Sequence, residues 1–369
     1  MRAATGAPMY DRQMKVISVV GARPQFVKLS PIDHAFKAAG IEHLIVHTGQ
    51  HYDHEMSASF FEELEISQPA YNLEVGSASH GVQTGQMLMG LEKIFLDENP
   101  DWVLVYGDTN STLAGTLAAV KIHLRVAHLE AGLRSFNRAM PEEHNRVVTD
   151  HTADLLLAPS QIAMEHLKRE GLEKKSLLVG DVMTDVCFKT RDKVMANPPT
   201  LSPELALLAE SGNFHLATIH RAENTDDSIR LTEIIQSIAN LKVPTLLLAH
   251  PRLVAKAAAI GLDLEQGTLH IAKPVSYPEM VYLVSKAKSV ITDSGGLQKE
   301  AFLLKTLCTT IRTETEWPET LVDGWNILQA DPRGLSMVVD REATTSSQSA
   351  PYGDGKSALA VVQALKNWR

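Results

Sequence analysis

The strongest restriction on the fold is a regular alternation of short β-branched apolar runs with longer amphipathic segments. The runs form two series. The first reads KVISVV, HLIVHTG, WVLVYGD, RVAHLEA, LLLAPS and SLLVGD, and the second reads HLATIH, TLLLAH, LHIAK, SVITDS, CTTIR and NILQA. Strands that alternate with helices form parallel sheets covered on both faces, which suits such continuous apolar runs. The sequence therefore predicts an α/β protein of two doubly wound, Rossmann-like domains that face each other across a cleft.

Two domains also agree with the length of 369 residues, since one domain usually takes about 100–200 residues. A proline-rich stretch at residues 195–214 separates the two series and marks a junction. We expect an N-terminal domain at residues 14–190 and a C-terminal domain at residues 191–355. The last helix, at residues 356–369, is expected to pack back on the first domain. The start of the chain, MRAATGAPMYDRQ, is predicted to be a loose tail.

Composition argues against several classes of protein. The net charge of −9 disfavours a nucleic-acid backbone as ligand, because such a ligand needs a basic face. No apolar run reaches the roughly 18 residues of a membrane-spanning helix, and the stretch MRAATGAPMYDRQ contains no apolar h-region of a signal peptide. Cys187 and Cys308 lack the spacing of a disulfide framework or a thiolate zinc site. We therefore expect a cytoplasmic protein with neither a membrane nor a nucleic-acid partner.

Polar residues directly follow the apolar strands, and in open parallel sheets ligands bind at the carboxyl ends of strands. In the first domain these residues are Arg23, Gln50, His51, Asp108, Thr109 and Glu130. Asp108 stands ahead of a helix, so an N-cap explains its carboxylate equally well. No helical pattern begins directly after Glu130, so a capping role does not explain that charge.

The segment AMPEEHNR predicts a helix with Pro141 in its first turn, followed by Glu142 and Glu143. The helix dipole favours acidic residues there by about 0.3–1 kcal/mol per charge, which explains one glutamate without a functional role. Asn145 and Arg146 lie three to four residues further on and can hold the carboxylate of Glu142. We expect Glu142 to be a third carboxylate of the site.

In the second domain, DSGGLQKEA joins a strand to a helix through Ser294, Gly295 and Gly296. The glycines let the backbone approach a ligand closely, and the start of the helix offers unpaired N–H groups and the positive end of its dipole. This pattern is typical of a phosphate site. A strand-to-helix turn that needs small residues only for steric reasons would show the same sequence pattern.

Other polar strand ends of the second domain also suit an anion. HRAEN places His220 and Arg221 directly after a strand, and Arg312 ends the run CTTIR. All three side chains can donate hydrogen bonds to phosphate oxygens. We therefore expect the second domain to hold a nucleotide and the first domain to supply acid–base carboxylates.

Histidines cluster in HTGQHYDHEM, where His47, His51 and His54 have spacings of four and three. Those spacings could place the three rings on one helical face. Gly49 is a turn signal that interrupts a helix there, so no metal site is expected.

Six motifs occur in the order and spacing of a known family, namely GARPQFVKLSP, GDTNST, HLEAGLR, PEEHNR, HRAEN and DSGGLQKEA. In these motifs the chain resembles the non-hydrolysing UDP-N-acetylglucosamine 2-epimerases, from about residue 15 to residue 368. The resemblance implies the glycosyltransferase-B architecture, a homodimer and no cofactor. It also implies interconversion of UDP-GlcNAc and UDP-ManNAc, for cell-surface polysaccharide precursors, by anti-elimination of UDP and its re-addition.

That reaction makes sense of the residue types. The C2 hydrogen of the sugar is not next to a carbonyl, so it becomes acidic only as UDP leaves C1 and positive charge develops on the ring. Elimination gives 2-acetamidoglucal and UDP, and re-addition with protonation on the opposite face gives the epimer, which needs a base and an acid. Cations and helix N–H groups stabilise the departing diphosphate.

The resemblance assigns roles motif by motif. The catalytic residues would be Asp108, Glu130, Glu142 and His220. The substrate-binding residues would be Arg23, Lys28, Arg146, Arg221, Asn224, Met280, Ser294, Gly295, Gly296, Glu300 and Arg312. Met280 stands where relatives often place an aromatic residue under the uracil, and its thioether can still pack on a ring. A regulatory second site would use Gln50, His51, Gln83, Arg221 and His250, but Val82 replaces an arginine of that site.

Two departures from the family pattern concern the substrate. Trp317 stands where simple UDP-GlcNAc epimerases usually carry arginine, and RSFNRAMPEE adds the cations Arg134 and Arg138. Both features resemble the branch that epimerises UDP-2,3-diacetamido-glucuronate, whose carboxylate needs a cation such as Arg138. That substrate is the alternative to UDP-GlcNAc.

Other classes of protein remain open at the level of sequence. A glycosyltransferase of the same architecture would need an acceptor and would leave the C2 hydrogen in place. A catalytically silent binder is disfavoured, because unpaired carboxylates near a diphosphate weaken binding unless the reaction uses them. A hydrolysing epimerase would carry a second, kinase-like domain, of which this sequence has no sign.

Overall fold

The chain divides into two compact units in the computed structural model. It describes residues 13–49, 65–322, 324–342 and 349–368, and of Arg23 it describes the backbone alone. The first unit combines Met1–Val186 with Pro351–Arg369, and the second is Cys187–Ala350. The chain therefore leaves the first unit, forms the second, and returns.

Strands and helices alternate along the described chain. The strands are β1 Lys15–Val20, β2 Glu42–His47, β3 Tyr71–Asn72, β4 Trp102–Tyr106, β5 Val126–Leu129, β6 Leu155–Ala158, β7 Ser176–Leu178, β8 His215–Thr218, β9 Thr245–Leu248, β10 Leu269–Ala272, β11 Ser289–Thr292, β12 Leu307–Thr310 and β13 Asn326–Leu328. The α-helices are α1 Arg23–Ala38, α2 His80–Glu98, α3 Asn110–Lys121, α4 Pro141–Thr152, α5 Gln161–Arg169, α6 Val182–Ala196, α7 Pro203–Ser211, α8 Ala222–Thr225, α9 Ser228–Ala239, α10 Pro251–Ala259, α11 Tyr277–Lys286, α12 Gly295–Leu303, α13 Leu335–Val338 and α14 Ser357–Asn367. The 3₁₀ turns are Glu173–Lys175, Pro318–Leu321 and Pro332–Gly334.

Each unit is built on a parallel sheet. The described strands of the first unit form a seven-stranded sheet in the order β3-β2-β1-β4-β5-β6-β7. Those of the second form a six-stranded sheet in the order β10-β9-β8-β11-β12-β13. The strand order reverses next to β1 in the first sheet and next to β8 in the second, as in doubly wound folds. The predicted fold class of two Rossmann-like parallel sheets is confirmed.

Strand β4 shows why the sheets are buried on both faces. Successive side chains of a strand point to opposite faces. Leu104 and Tyr106 join a buried cluster with residues of α1 and α14, while Val103 and Val105 join another with residues of α2 and α3. All four side chains have no exposed surface. This double burial explains the unbroken apolar runs that predicted the strands.

Helix α14 belongs to the first unit, where it packs against α1. Its N-terminus is held by Asp185, whose carboxylate accepts the backbone N–H groups of Ser357 and Ala358 at 3.0 and 2.8 Å.

Among the residues the structure describes, no helix is both long and apolar enough to cross a membrane.

Candidate active site

The carboxyl ends of β4 and β5 place two predicted carboxylates side by side. Asp108 follows Gly107, whose φ is +63°, and Glu130 follows β5 with a φ of +69°. A side chain in this left-handed region costs about 1–2 kcal/mol, so the surrounding contacts must hold Glu130 there. The turns end both strands sharply and direct both side chains to the edge of the sheet where ligands bind.

Glu130 forms an ion pair with Lys28 of α1. The Glu130 side chain is 7% exposed and that of Lys28 is 16% exposed. A Cβ atom added to Gly107 would lie 3.2 Å from Oε2 of Glu130 and 3.8 Å from Nζ of Lys28. The pair therefore lies directly against the backbone that precedes Asp108, and sequence reasoning had given the two residues separate roles.

The N-cap explanation of Asp108 does not hold. The N-cap of α3 is Thr109, whose hydroxyl accepts the N–H of Thr112 at 3.4 Å. Gln25 ties this strand end to β1, since its amide donates to the Tyr106 carbonyl at 2.8 Å and accepts the Gly21 N–H at 2.8 Å. The carboxylate of Asp108 is thus left for another role.

One face of α4 turns toward these loops. Arg146 forms ion pairs with both Asp108 and Glu143, the latter at 3.1 Å. Asn145 donates to the main-chain carbonyl of Asp108 at 2.9 Å. The prediction that Asn145 and Arg146 hold Glu142 is wrong: Arg146 pairs with Glu143, three residues before it on the inward face, and Asn145 bonds the Asp108 carbonyl. Glu142 lies exposed on the first turn of the helix.

Glu143 has a structural role that the sequence did not reveal. Its carboxylate accepts the N–H and hydroxyl of Ser135, both at 2.9 Å, and the N–H of Phe136 at 3.0 Å. Burial opposes its ionisation, but these hydrogen bonds and the charge of Arg146 hold the pKa of Glu143 below its ordinary value. Glu143 therefore fixes the loop before α4.

In the second unit, Asp293 joins the ends of β8 and β11, where the strand order reverses. Its carboxylate has no exposed surface and accepts the backbone N–H groups of His220 and Arg221 at 3.1 and 3.0 Å. It also lies 3.3 Å from Nδ1 of His220, whose side chain is 47% exposed. Asn224 has no exposed surface and donates to Asp293 at 3.1 Å, so it supports Asp293 rather than facing solvent.

The start of α12 is surrounded by charged groups. Ser294 is the N-cap, and its hydroxyl accepts the N–H of Leu297 at 3.3 Å. Beside Gly295, the carboxylate of Glu316 accepts hydrogen bonds from Arg312 at 2.7 and 3.0 Å and from Arg221 at 3.2 Å. The two predicted cations thus meet at the predicted phosphate site, and a carboxylate lies between them.

Two further predicted ligands belong to the same unit. Glu300 lies on α12, and burial raises its pKa to about 7 from 4.5, although the neighbouring Tyr277 hydroxyl and Lys299 act in the opposite direction. Met280 is partly buried on α11 and packs against the core of the unit. Lys299 lies 4.0 Å above the ring of Trp317, which gives that tryptophan a cation–π contact.

Several residues predicted to bind a ligand are exposed or bound to other side chains, or lie outside the residues that the structure describes. Arg134 forms ion pairs with Asp150 and Glu170, and its side chain is 1% exposed. Contrary to the expectation from sequence, it is therefore not available to a ligand. Arg138 is exposed. Gln50, His51 and His54, and the side chain of Arg23, lie outside the described residues.

The predicted regulatory residues that the structure describes make local contacts. Gln83 is buried, donates to the Gly76 carbonyl at 3.1 Å and accepts from Asn110 at 2.8 Å. His250 is exposed and is the N-cap of α10, where Nδ1 accepts the N–H of Arg252 at 3.2 Å. Within the described part of the chain, no group of three histidine, cysteine or acidic side chains could hold a metal ion.

Comparisons with known proteins agree over almost the whole chain. The sequence model of the UDP-N-acetylglucosamine 2-epimerase family matches residues 34–366. A Methanococcus maripaludis protein named UDP-N-acetylglucosamine 2-epimerase homolog is 44% identical over 96% of this chain and 100% of its own length. The UDP-2,3-diacetamido-2,3-dideoxy-D-glucuronate 2-epimerase of Pseudomonas aeruginosa is 43% identical over 95% of this chain and 99% of its own. The crystal structure of Methanocaldococcus jannaschii UDP-GlcNAc 2-epimerase in complex with UDP-GlcNAc and UDP has a TM-score of 0.77 and 39% identity, covering 96% of this chain and 99% of that one.

Two Rossmann-like sheets with charged residues at their reversal points are typical of α/β enzymes that bind nucleotides. The family model and the relatives above identify the kind of nucleotide-binding enzyme. The chain belongs to the UDP-N-acetylglucosamine 2-epimerase family and is an enzyme of that family. The resemblance found in the sequence is thereby confirmed.

Proposed function

We propose that this enzyme interconverts UDP-GlcNAc and UDP-ManNAc by elimination of UDP to 2-acetamidoglucal, followed by re-addition. The observation that carries the proposal is the position of Asp108 and Glu130 at the ends of the neighbouring strands β4 and β5. Each carboxylate forms an ion pair with its own cation, Arg146 or Lys28. Arg146 holds the carboxylate of Asp108 and Lys28 holds that of Glu130, and an ionised carboxylate is a group that can accept a proton. The name of the M. jannaschii relative, and UDP-GlcNAc in its crystal structure, support the choice of substrate.

The second unit supplies the groups that hold UDP in this proposal. The diphosphate binds at the N-terminus of α12, where Arg221 and Arg312 meet Gly295 and the half-exposed ring of His220 is held by Asp293. These donors stabilise the charge of the departing diphosphate. The ribose hydroxyls bind Glu300, and Met280 packs on the uracil.

In the first unit, one carboxylate removes the C2 proton while the C1–O bond to UDP breaks. A proton delivered to the opposite face of C2, together with return of UDP to C1, gives the epimer. Asp108, Glu130 and Glu142 share the roles of base and acid. Lys28 of α1 holds Glu130, and Arg146 of α4 holds Asp108. Glu142 is exposed at the start of α4.

A 2,3-diacetamido-glucuronate donor is the second candidate substrate. The P. aeruginosa relative named for this activity is 43% identical. Lys299 lies over the ring of Trp317, and Arg138 is an exposed cation in the loop before α4. An exposed arginine can bind the carboxylate of a uronate through two parallel hydrogen bonds.

We also propose that the enzyme is a homodimer that supplies polysaccharide precursors. Apolar side chains at intervals of seven on α2, namely Val82, Met89 and Leu96, are 52%, 68% and 61% exposed. Residues seven apart lie on the same side of a helix, so these form one apolar stripe that a second copy can cover. Sedimentation equilibrium checks the dimer, and a monomer at all concentrations would contradict it.

Product analysis tests the proposed function. The enzyme is incubated with each UDP-sugar, without an acceptor, and the products are followed by proton NMR. We expect a manno-configured sugar still joined to UDP, formed from UDP-GlcNAc faster than from the diacetamido-uronate. The reverse ratio supports the second substrate. If neither donor gives an epimer while UDP still binds, the protein is a transferase or a binder, and the proposal fails.

A further inference from the structure

A buried histidine–carboxylate pair lies beneath the loops that carry Asp108 and Glu130. His128 is in β5 and Asp150 is near the end of α4, and neither side chain has any exposed surface. Nδ1 of His128 lies 2.7 Å from Oδ1 of Asp150. None of the roles proposed above uses either residue.

Both ring nitrogens of His128 face acceptors. Nε2 lies 2.7 Å from the carbonyl oxygen of Gly107, which has no proton to give. Asp150 is an acceptor as well: burial opposes its charge, but His128 and Arg134 hold the pKa of Asp150 below its ordinary value. A histidine between two acceptors satisfies both only as the doubly protonated imidazolium, because the neutral ring has a single donor.

The second oxygen of Asp150 holds the loop after β5. The N–H of Gly132 donates to Oδ2 at 3.0 Å, and Arg134 reaches the same oxygen at 2.7 Å. Gly132 has a φ of +83°, and a Cβ added there would lie 2.5 Å from the Ala163 carbonyl oxygen, so the chain is closely confined. Asp150 therefore fixes the backbone two residues after Glu130.

The same pair fixes the backbone before Asp108. His128 donates to the carbonyl of Gly107, whose φ of +63° sets the direction of the next residue. From the same helix as Asp150, Asn145 holds the carbonyl of Asp108 and Arg146 holds its carboxylate. Asp150 thus reaches both loops, the first through His128 and the second directly.

We propose that His128 and Asp150 are positioning residues for the epimerisation. The His128 imidazolium holds the Gly107 carbonyl and the Asp150 carboxylate holds the Gly132 N–H, so that the carboxylates of Asp108 and Glu130 keep a fixed separation and direction. The inference rests on the proposed function, in which those carboxylates move protons. Neither positioning residue touches the substrate. A displacement of about 1 Å at a reacting group can cost roughly 100-fold in rate.

The variants Asp150→Asn and His128→Gln test this inference. We expect kcat for the UDP-sugar to fall roughly 100-fold in each. KM for the UDP-sugar and Kd for UDP should change little, since the proposed UDP ligands lie in the second unit. This division between kcat and KM separates positioning from a general loss of folded protein.

A second buried pair in the same unit is the matched control. Nδ1 of His43 lies 2.7 Å from Oδ1 of Asp33, with side chains 3% and 0% exposed. Nε2 of His43 meets the hydroxyl of Ser18 at 2.8 Å, whereas Nε2 of His128 meets the backbone carbonyl of Gly107 in a loop of the site. Asp33→Asn and His43→Gln should lower the unfolding midpoint about as much as Asp150→Asn and His128→Gln do. They should leave kcat nearly unchanged.

The outcomes separate this inference from the proposed function. If the wild-type enzyme gives no epimer, the proposed function fails. If the wild type is active and Asp150→Asn or His128→Gln keeps its kcat, or if the control pair lowers kcat as strongly, the positioning role is overturned. Neutron diffraction of wild-type crystals needs no variant: hydrogen on both ring nitrogens of His128 supports the inference, and an unprotonated Nε2 overturns it.

Discussion

At the scale of the residue, the site depends on two backbone positions with positive φ. Gly107 needs none of the extra energy that a side chain would cost there, whereas Glu130 adopts a φ of +69° against its intrinsic preference. Unusual conformations of this kind persist where the surrounding contacts over-determine them, and they cluster at active sites. Lys28 and the backbone on either side of Glu130 supply those contacts.

Replacement of Gly107 by alanine tests how closely the site is set. The new Cβ would lie 3.2 Å from Oε2 of Glu130, so the carboxylate must shift by a few tenths of an ångström. We expect kcat to fall roughly 3- to 10-fold. Gly40→Ala is the control, since Gly40 has a φ of +65° but no atom within 4 Å of the added Cβ. Both variants should lose about 1 kcal/mol of stability, and an equal effect on kcat would contradict this account.

Sequence reasoning found the candidate residues that end strands and missed those that support them. Asp108, Glu130, His220 and Ser294 follow apolar runs, and position in the chain alone indicates their place at the edge of a sheet. Asp150 lies inside a helix, where the sequence does not show which face packs inward. The same ambiguity led to the wrong partner for Arg146, because residues three and four positions earlier are equally plausible on spacing alone.

At the scale of the element, helix α12 combines several features of an anion site. Its first backbone N–H groups, the two glycines and the positive end of its dipole meet Arg221 and Arg312. Glu316 binds both arginines, so its carboxylate holds them where the proposed diphosphate would bind. The ligand must therefore replace one anion by another.

The variant Glu316→Gln tests this competition. We expect UDP to bind roughly 2- to 5-fold more tightly by calorimetry, because a partly exposed ion pair of about 0.2–1 kcal/mol no longer competes. Glu314→Gln is the control, since it removes a charge from an exposed position of the same loop. Weaker binding by Glu316→Gln would show that the glutamate positions the arginines and does not compete with the ligand.

Elements were predicted well where the apolar pattern was long. Each of the twelve runs predicted as strands overlaps one observed strand. Strand β3 was missed, because Tyr71–Asn72 has two residues and shows no period. Strand order was beyond the reach of periodicity, since it depends on which buried faces meet.

At the scale of the whole molecule, the first unit is assembled from two separate parts of the chain. Helix α14 returns after the second unit and packs against α1 with Val361 and Leu365 fully or almost fully buried. The first unit is therefore complete only when the end of the chain is in place. Its stability should depend on a helix that lies far from the candidate site in sequence.

Two leucines of α14 test that dependence. Leu365 is 1% exposed and Leu359 is 52% exposed. We expect Leu365→Ala to destabilise the first unit by about 2–5 kcal/mol, and Leu359→Ala to change it by less than about 0.5 kcal/mol. Hydrogen exchange of amides in β1 and β4 measures this free energy, and exchange in the second unit should change less. Equal effects of the two variants would contradict the packing role of α14.

Incorporation of solvent deuterium at C2 is the most direct test of the central claim that a carboxylate of the first unit removes this hydrogen. UDP-GlcNAc is incubated with the enzyme in deuterated water and C2 is followed by proton NMR. We predict deuterium at C2 of the epimer, and loss of this exchange in Glu130→Gln with UDP affinity largely intact. An epimer that retains its original C2 hydrogen would contradict the account.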